Sequence, residues 1–427
     1  MERKVAMSRV LPPNPHIDHL KNEAKSLLKA HRGGDVSCCK TLCLLRRFHD
    51  AADDRILAAD VSLQEAQFAL ALDYGFKNWD DLARHVADVA SWSDEKEPAR
   101  AGAFLLKDVP AGGDGVNRFI SGFRMCLEHC GAPCDHDTMM GDSGMAFIIQ
   151  ADSAHTAWGK AVKQLDIGWW PLDSWGALLR AEFLGTVAGR ELRVLPFSDA
   201  EYKTDAKACY ERRFHGPIVE CLRKGLPAVA VEVDVQLVCG YDDGQPPLLG
   251  QVACLPGHKI ARLGSYPWRV VVPGEAMKPL DRGRADIEAL RFAVKLASDG
   301  LGKLAPPNKL SGKGAFALWA RLLRDPEGWG AHFYHANVVG HLEQHRAAAV
   351  RYLRAMSQRQ SSSATGILNE AADFYASVLE VLKTADTGKQ TLSTAEGRER
   401  LATVVERVAA EEVAAAERME AALNEMR

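Results

Sequence analysis

The sequence has little net charge, and it lacks the long apolar runs that cross a membrane. Its 427 residues carry a formal net charge of -3, which argues against a broad nucleic-acid surface. No apolar run approaches the roughly 18 to 20 residues that span a bilayer. Residues 1–10 are basic but lack the apolar core of a secretion signal. We therefore expect a cytoplasmic protein that binds neither nucleic acid nor membrane.

Clear signatures of metal sites and repeats are also missing. The ten cysteines do not form the two separated pairs of a structural zinc site. Cys126, Cys130 and Cys134, with His129 and His136, leave zinc open as an alternative to small core residues. No ankyrin-type repeat is found. We expect free thiols rather than disulfides in a cytoplasmic protein, and neither a metal nor a cofactor.

Residues 11–90 are predicted to form a small helical module. Apolar residues recur at helical spacing from Ile17 to Leu28, and a second amphipathic helix is predicted over residues 36–49. Asp60 or Ser62 can cap a third helix. The module is marked by residues 11–15, 20–25, 67, 74–76 and 79. It resembles a bacterial module often found ahead of ankyrin repeats or enzyme domains, which implies docking rather than chemistry.

The remaining chain is predicted to combine an α+β domain with a helical domain. Between residues 102 and 280 we predict a helix capped by Asn117 and another over residues 206–224. Strands are predicted over residues 192–197, 227–235, 236–241, 248–254 and 268–272. From residue 284 to 427 helices are predicted over residues 287–296, 314–323, 333–356, 366–383 and 394–426. These C-terminal helices are candidates for pairing with a second copy in a homodimer.

A glycine-bracketed stretch organises the central domain. Gly141 and Gly144 enclose Asp142 and Ser143, and an apolar run follows over residues 145–149. Since glycine adopts backbone angles that other residues resist, the pattern predicts a tight turn entering a buried strand. Asp142 and Ser143 either line a pocket, where Asp142 would bond a ligand, or satisfy the turn through bonds to the backbone.

Other polar and aromatic groups have two interpretations each. Tyr241 and Asp242 either border a cleft or belong to a hairpin turn. Trp170, in a group with Trp158, Trp169 and Trp175, either lines a flat ligand site or packs in the core.

Four histidines recur at helical spacing near the C-terminal domain. His332, His335, His341 and His345 include spacings that can bind a metal. They lack the His-Glu-x-x-His order of a metalloprotease, however. We interpret them as a solvated face or a contact with another subunit.

Three blocks of sequence carry a resemblance that spans roughly residues 105–385. They are residues 117–127 with 131 and 140–147, then 225–229 with 238–243, and then 341–343, 346–354, 371–372 and 375. In order and spacing they resemble the butirosin biosynthesis protein H family. The resemblance implies a papain-like domain over residues 102–280, flanked by the helical module (11–90) and a helical domain (284–427).

The resemblance also implies a chemistry. Active members are expected to use a Cys at the start of the first helix and a His just before the Gly-Tyr-Asp segment. Here the helix starts Asn117-Arg118 and reaches no Cys before Cys126, and residues 234–239 contain no His. The nucleophile would then be an unconventional one, Ser121 or Cys239.

Three functions follow from these patterns. In the first, the chain is an acyltransferase-like enzyme that forms or cleaves amide bonds on a small molecule or peptide. In the second, it is catalytically silent and holds such a ligand between Asp142-Ser143 and Tyr241-Asp242, with Asn117 and Trp170 nearby. In the third, it is a scaffold that binds partner proteins.

Overall fold

The computed structural model describes most of the chain. The described residues are 17–48, 51–74, 76, 78–80, 82–83, 86, 103–110, 117–152, 180–232, 234–253, 259–298, 309–325, 332–360 and 362–426. They form a mixed arrangement of helices and antiparallel sheet, which confirms the predicted α+β class. Within these residues, every helix falls short of the length or the apolarity that membrane crossing requires.

The elements are numbered in chain order. The helices are α1 (Ile17–Arg32), α2 (Cys39–Leu42), α3 (Asp53–Leu57), α4 (Leu63–Asp73), α5 (Arg118–His129), α6 (His136–Ser143), α7 (Ala181–Ala188), α8 (Asp199–Thr204), α9 (Ala206–Tyr210), α10 (Gly216–Arg223), α11 (Arg282–Ser298), α12 (Gly312–Arg324), α13 (His332–Ser357), α14 (Ser362–Leu382), α15 (Lys389–Leu392) and α16 (Ala395–Glu425). The strands are β1 (Phe104–Leu105), β2 (Gln150–Asp152), β3 (Arg190–Val194), β4 (Ala228–Val231), β5 (Val235–Tyr241), β6 (Leu248–Val252), β7 (Ala261–Arg262), β8 (Arg269–Ala276) and β9 (Lys309–Ser311).

The chain divides into two compact units whose bounds differ from the three predicted domains. The smaller unit contains Met1–Leu105, Cys239–Gln251 and Gly257–Leu263. The larger unit contains Leu106–Val238, Val252–Pro256 and Gly264–Arg427. The predicted boundary at residues 280–284 does not separate two units, because apolar residues of α5, α6, α11, α13, α14 and α16 share one core cluster.

The smaller unit begins with the predicted helical module. Helix α1 buries Leu20, Ala24 and Leu28 on one face, as its spacing predicts. Ser62 caps α4 in a capping box with Glu65.

The single helix predicted over residues 36–49 is wrong. In its place α2 lies between two short 3₁₀ turns, Val36–Cys38 and Arg46–Phe48. The buried residues Cys39, Leu42, Leu45 and Phe48 recur every three positions. A 3₁₀ turn has three residues per turn, so this spacing suits it better than a continuous α-helix.

The larger unit contains an antiparallel sheet in the order β3-β8-β4-β5, and β5 continues into the smaller unit. Helix α5 lies against this sheet at Gly122, where an added Cβ would come within 3.0 Å of Val235 and 3.3 Å of Val229. The helix predicted over residues 206–224 is present as α9 and α10, joined by the π-helical turn Glu211–His215.

The C-terminal helices agree closely with the predicted ones. Helices α11 to α14 and α16 cover the five predicted ranges, with ends that differ by a few residues. A second, two-stranded sheet pairs β2 with β9 in antiparallel register, from Gln150 opposite Ser311 to Asp152 opposite Lys309.

The glycine-bracketed stretch differs from its prediction. Gly141, Asp142 and Ser143 are the last residues of helix α6, and Gly144 ends the helix in the left-handed conformation at φ 83°. Residues 145–149 are buried, but the strand begins only at Gln150. Glycine is required at position 141 of this helix because the Tyr352 ring occupies the space that a Cβ would need.

Candidate functional site

Asp142 is the centre of a buried, charged cluster. Its carboxylate is enclosed and pairs with both terminal nitrogens of Arg282, at 2.7 and 2.8 Å. The Tyr352 hydroxyl donates to the same carboxylate at 2.6 Å. Arg180 donates two hydrogen bonds to the Asp142 backbone carbonyl, each 3.3 Å long. These contacts hold the Asp142 carboxylate among the protein's own groups, and Arg282 balances its negative charge.

The cluster continues through a second buried carboxylate. Asp286 accepts hydrogen bonds from Arg282 at 2.9 Å, from Arg359 at 2.9 and 3.1 Å, and from Gln360 at 3.1 Å. We call Asp142, Asp286, Arg282, Arg359 and Tyr352 the Asp142 cluster. It joins α6, α11 and α13 to the segment after α13.

Two pKa shifts within the Asp142 cluster keep Tyr352 and Arg282 protonated. Burial, together with the charge of Asp142, raises the pKa of Tyr352 well above its ordinary value, so that its hydroxyl remains a donor. Burial opposes the charge on Arg282, but the hydrogen bonds and charge of Asp142 outweigh it and raise the guanidinium pKa. Near neutral pH, Tyr352 therefore stays neutral and Arg282 stays positively charged.

Ser143 is hydrogen-bonded to the backbone on both sides. Its Oγ donates to the carbonyl of Met140 at 3.2 Å and accepts from the amide of Met145 at 3.2 Å. This is the turn role that the sequence left as one of two alternatives.

A second polar cluster surrounds the start of α5. Asn117 caps the helix, as predicted, by accepting from the amides of Phe119 and Ile120 at 3.1 Å each. Its Nδ2 lies 3.3 Å from Nε2 of His345, which is also buried. Burial, and then the charge of Arg346, lowers the pKa of His345 well below its ordinary value. The neutral ring can therefore accept from the Asn117 amide.

The exposed side of this cluster contains an ion pair. Arg118 Nη1 lies 3.2 Å from Asp234 Oδ2, and the two side chains are 34% and 24% exposed. His341 lies beside His345, with ring centroids 6.1 Å apart. Burial, and then the charge of Arg118, lowers the pKa of His341 to about 4. We call Asn117, Arg118, Asp234, His341 and His345 the helix-start cluster.

The two predicted nucleophiles are poorly placed for chemistry. Ser121 is fully buried within α5. Cys239 is fully buried in β5, and its thiol donates to the Leu249 carbonyl at 3.8 Å rather than to a base. Burial raises the pKa of Cys239 to about 12, so the thiol is protonated near neutral pH. Ser121 lies in the larger unit and Cys239 in the smaller.

Asp242, the residue after β5, is held by Arg262 of β7 and by the loop that follows it. Arg262 donates to both oxygens of Asp242, at 2.5 and 2.6 Å, and the Gly244 amide donates to Asp242 at 2.8 Å. The Tyr241 ring stacks on Phe104 at 5.8 Å. These residues belong to the smaller unit, so the predicted ligand site between them and Asp142-Ser143 stays a prediction. Trp170 and its three neighbouring tryptophans lie outside the described residues.

Two of the four α13 histidines correct the predicted solvated face, while the alternative of a contact with another subunit stays a prediction. His335 and His345 are buried rather than solvated. Nε1 of Trp319 donates to Nδ1 of His335 at 3.0 Å, and His345 contacts Asn117. This face of α13 packs against α12 and the start of α5, which supply polar partners for the two buried histidines. In the part of the chain that the structure describes, no three His, Cys, Asp or Glu side chains are grouped to hold a metal ion.

Several important residues were missed by sequence reasoning. Arg346 is fully buried and pairs with Glu412 at 2.5 and 2.8 Å. It also donates to the carbonyls of Ala146 at 2.9 Å and Ile148 at 3.1 Å. A weak signal for Arg346 exists, since it directly precedes the apolar residues 347–350 of the helix. Nothing in the sequence indicates its partners.

The fold and the site define an α+β protein in which the Asp142 cluster is enclosed and the helix-start cluster is partly exposed. Comparisons of the sequence with protein-family models and with curated proteins found no match. The function is therefore inferred from the geometry of these clusters.

Proposed function

We propose that the chain is a non-catalytic binding protein on a papain-like fold, related to acyltransferases that form or cleave amide bonds. In such enzymes a nucleophile at the start of a helix works with a histidine beside it. Here Asn117 and Arg118 stand at the helix start and Asp234 stands just before β5. Asn117 is engaged as a cap, and Arg118 pairs with Asp234 at 3.2 Å. A cap and an ion pair at the start of α5, where the resemblance implies a cysteine, are the observation that supports the proposal.

The burial of Ser121 and Cys239 favours binding over catalysis. Attack on an acyl group requires an exposed, activated oxygen or sulfur. Ser121 is fully buried, and Cys239 is buried with its pKa raised to about 12. The histidine nearest the helix start, His345, contacts the amide nitrogen of Asn117, and an amide side chain is not a nucleophile.

We propose that the ligand is a small molecule or peptide with a carboxylate group that binds Arg118. The amino end of α5 carries the positive end of the helix dipole, which adds to the charge of Arg118. Asp234 occupies Arg118 in this structure, but an exposed ion pair contributes only about 0 to 1 kcal/mol. A ligand carboxylate can therefore replace Asp234 at little cost and form a charge-assisted pair with the guanidinium.

Binding is tested with pairs of ligands that differ in one charge. We expect N-acetylated amino acids to raise the thermal midpoint of the full chain, and the matching C-terminal amides to leave it unchanged. Arg118→Gln should remove the response. Arg124→Gln is the matched control, since Arg124 lies on the same helix and pairs with Glu128 at 3.2 Å. Equal responses to acids and amides, or a full response in Arg118→Gln, would contradict the assignment.

Catalysis is tested separately with an acyl donor. After incubation with p-nitrophenyl acetate, peptide mapping should find Ser121 and Cys239 unmodified in the folded chain. Stoichiometric acylation of either residue, lost in Ser121→Ala or Cys239→Ala, would instead support an acyltransferase with an unconventional nucleophile.

A further inference from the structure

Two opposite charges lie side by side at the start of α5, and both are partly exposed. Arg118 Nη1 is 3.2 Å from Asp234 Oδ2, in an ion pair whose two side chains both reach solvent. Arg118 is the first residue of α5, and Asp234 lies in the turn between β4 and β5. The larger unit therefore presents one positive and one negative group next to each other.

The Asp234 carboxylate is held in place by its own turn. Its Oδ1 accepts from the amide of Val235 at 2.8 Å, and its backbone carbonyl accepts from the amide of Glu232 at 3.0 Å. Glu232 is buried and accepts in turn from the amide and the hydroxyl of Ser265, at 2.7 and 3.0 Å. These bonds do not involve Arg118, so we expect Asp234 to keep its position when the guanidinium moves.

The Arg118 side chain can accept a ligand without displacing the turn. Its ion pair with Asp234 is made through one nitrogen, Nη1. A guanidinium carries five N–H donors in a planar fork, on a stem of three methylene groups. A shift of the guanidinium toward a ligand carboxylate therefore leaves the Asp234 carboxylate at a fixed site close by.

A ligand with a carboxylate alone fits this arrangement poorly. It brings a second negative charge beside Asp234, and like charges within a few Å of each other repel. A ligand that also carries an ammonium group pairs with Asp234 and removes the repulsion. In an α-amino acid both charged groups are attached to one carbon, so the molecule can lie between the Arg118 and Asp234 side chains.

We propose that the ligand of this site is a free α-amino acid, whose carboxylate binds Arg118 and whose ammonium group donates to Asp234. Such a molecule is a zwitterion near pH 7, since α-carboxyl groups ionise far below that pH and α-amino groups titrate above it. The assignment depends on the carboxylate-binding role proposed above for Arg118 and narrows it. An N-acylated amino acid, or the carboxyl end of a peptide, has no ammonium group beside its carboxylate. Asp234 is then the residue that distinguishes free from blocked amino acids.

The test compares three forms of each common L-amino acid on the full chain: the free acid, the N-acetyl acid and the C-terminal amide with a free ammonium group. Dissociation constants are measured from the thermal midpoint as a function of ligand concentration. We expect the free acid to bind about fivefold more tightly than its N-acetyl form, because it gains one exposed ion pair. An amide that binds as tightly as the free acid would overturn the proposal.

Asp234→Asn should remove the preference for the free acid. Asparagine keeps a side-chain oxygen that can accept from the Val235 amide, so the turn should persist, and both forms should then bind equally. Asp373→Asn is the matched control, because Asp373 also forms an exposed ion pair at 3.2 Å, with Arg354. That variant should keep the fivefold preference. A preference that survives in Asp234→Asn would overturn the assignment of the ammonium group.

The two proposals fail in different ways. If free and N-acetylated acids bind the unmodified chain equally, and Arg118→Gln still abolishes the response, the carboxylate site stands and the amino-acid assignment is overturned. If neither form binds, the carboxylate site itself is contradicted, and the amino-acid assignment is overturned with it.

Discussion

The Asp142 cluster and the helix-start cluster lie in the same unit but differ in charge and exposure. Asp142 and Asp286 are enclosed ions, and arginines balance both of them. The helix-start cluster combines the neutral His345 and the Asn117 amide inside with the partly exposed Arg118–Asp234 pair outside. Buried ions lose stability when a partner is removed, whereas a partly exposed pair exchanges its partners cheaply. We therefore expect the Asp142 cluster to stabilise the fold and the helix-start cluster to exchange its partner for a ligand.

The Asp142 cluster should produce the largest loss of stability when it is broken. Asp142→Asn removes one of the two carboxylates that pair with the partly buried Arg282, Asp286 being the other, so we expect the free energy of unfolding to fall by about 3 to 5 kcal/mol. Urea denaturation of the full chain measures this loss. The control is Asp373→Asn, which breaks the exposed Arg354–Asp373 pair and should change stability by less than about 0.5 kcal/mol. Equal losses of stability in the two variants would contradict the expected difference between a buried and an exposed ion pair.

Acidification should affect the helix-start cluster. The pKa of His341 is about 4 in the folded chain, below the ordinary value of about 6.5, so the unfolded chain binds the proton first. The contribution of neutral His341 to the free energy of unfolding is fully present above pH 6.5. It is lost as the pH falls toward 4, by up to about 3 kcal/mol. Urea denaturation at pH 7.5 and pH 4.5 measures the loss.

The neutral substitution His341→Gln should reduce that dependence on pH. His345 shifts in the same direction, so part of the dependence should persist in the variant. A variant with the same loss of stability as the unmodified chain would show that His341 titrates normally.

Gly141→Ala should have a medium effect on the Asp142 cluster. The added Cβ would overlap the Tyr352 ring and push its hydroxyl away from Asp142, which we expect to cost about 1 to 3 kcal/mol. Gly340→Ala in α13 is the control, because nothing lies within 4 Å of its added Cβ. That variant should keep or increase the melting temperature, since alanine favours helix. The prediction is contradicted if the two melting temperatures shift alike.

Asn117→Ala should have the smallest effect of the four. It removes the cap of α5 and the contact with His345, and lost caps cost about 0.5 to 2 kcal/mol. Asn117→Ser should recover most of the stability, because serine is also a good cap. If serine does no better than alanine in thermal denaturation, the His345 contact rather than the cap carries the stability.

Local patterns predicted local structure well. The cap at Ser62, the cap at Asn117 and the helices after residue 284 are all present. Each depends on residues within a few positions of one another, so sequence spacing is sufficient. Residues 36–49 show the limit of prediction from local patterns. Their apolar pattern predicted an α-helix, but its spacing of three residues suits 3₁₀ turns.

The candidate site was predicted only in part. Asp142 and Asn117 were singled out, but their partners Arg282 and His345 lie 140 and 228 residues away. No periodicity connects positions at such separations. Arg118 and Asp234 were passed over because a surface ion pair has no sequence signature of its own.

By itself, the sequence determined the α+β class and the long C-terminal helices, because propensity, capping and apolar spacing act within one or two turns of chain. Only the tertiary structure decided that Gly141-Asp142-Ser143 ends a helix. A pair of nearby glycines is compatible with a turn or with a tightly packed helix, and the Tyr352 ring beside Gly141 shows which role this glycine has, since it leaves no room for a Cβ. The tertiary structure likewise decided that Asp142 is buried as an ion, since burial requires the distant Arg282 and Tyr352 to compensate for lost water.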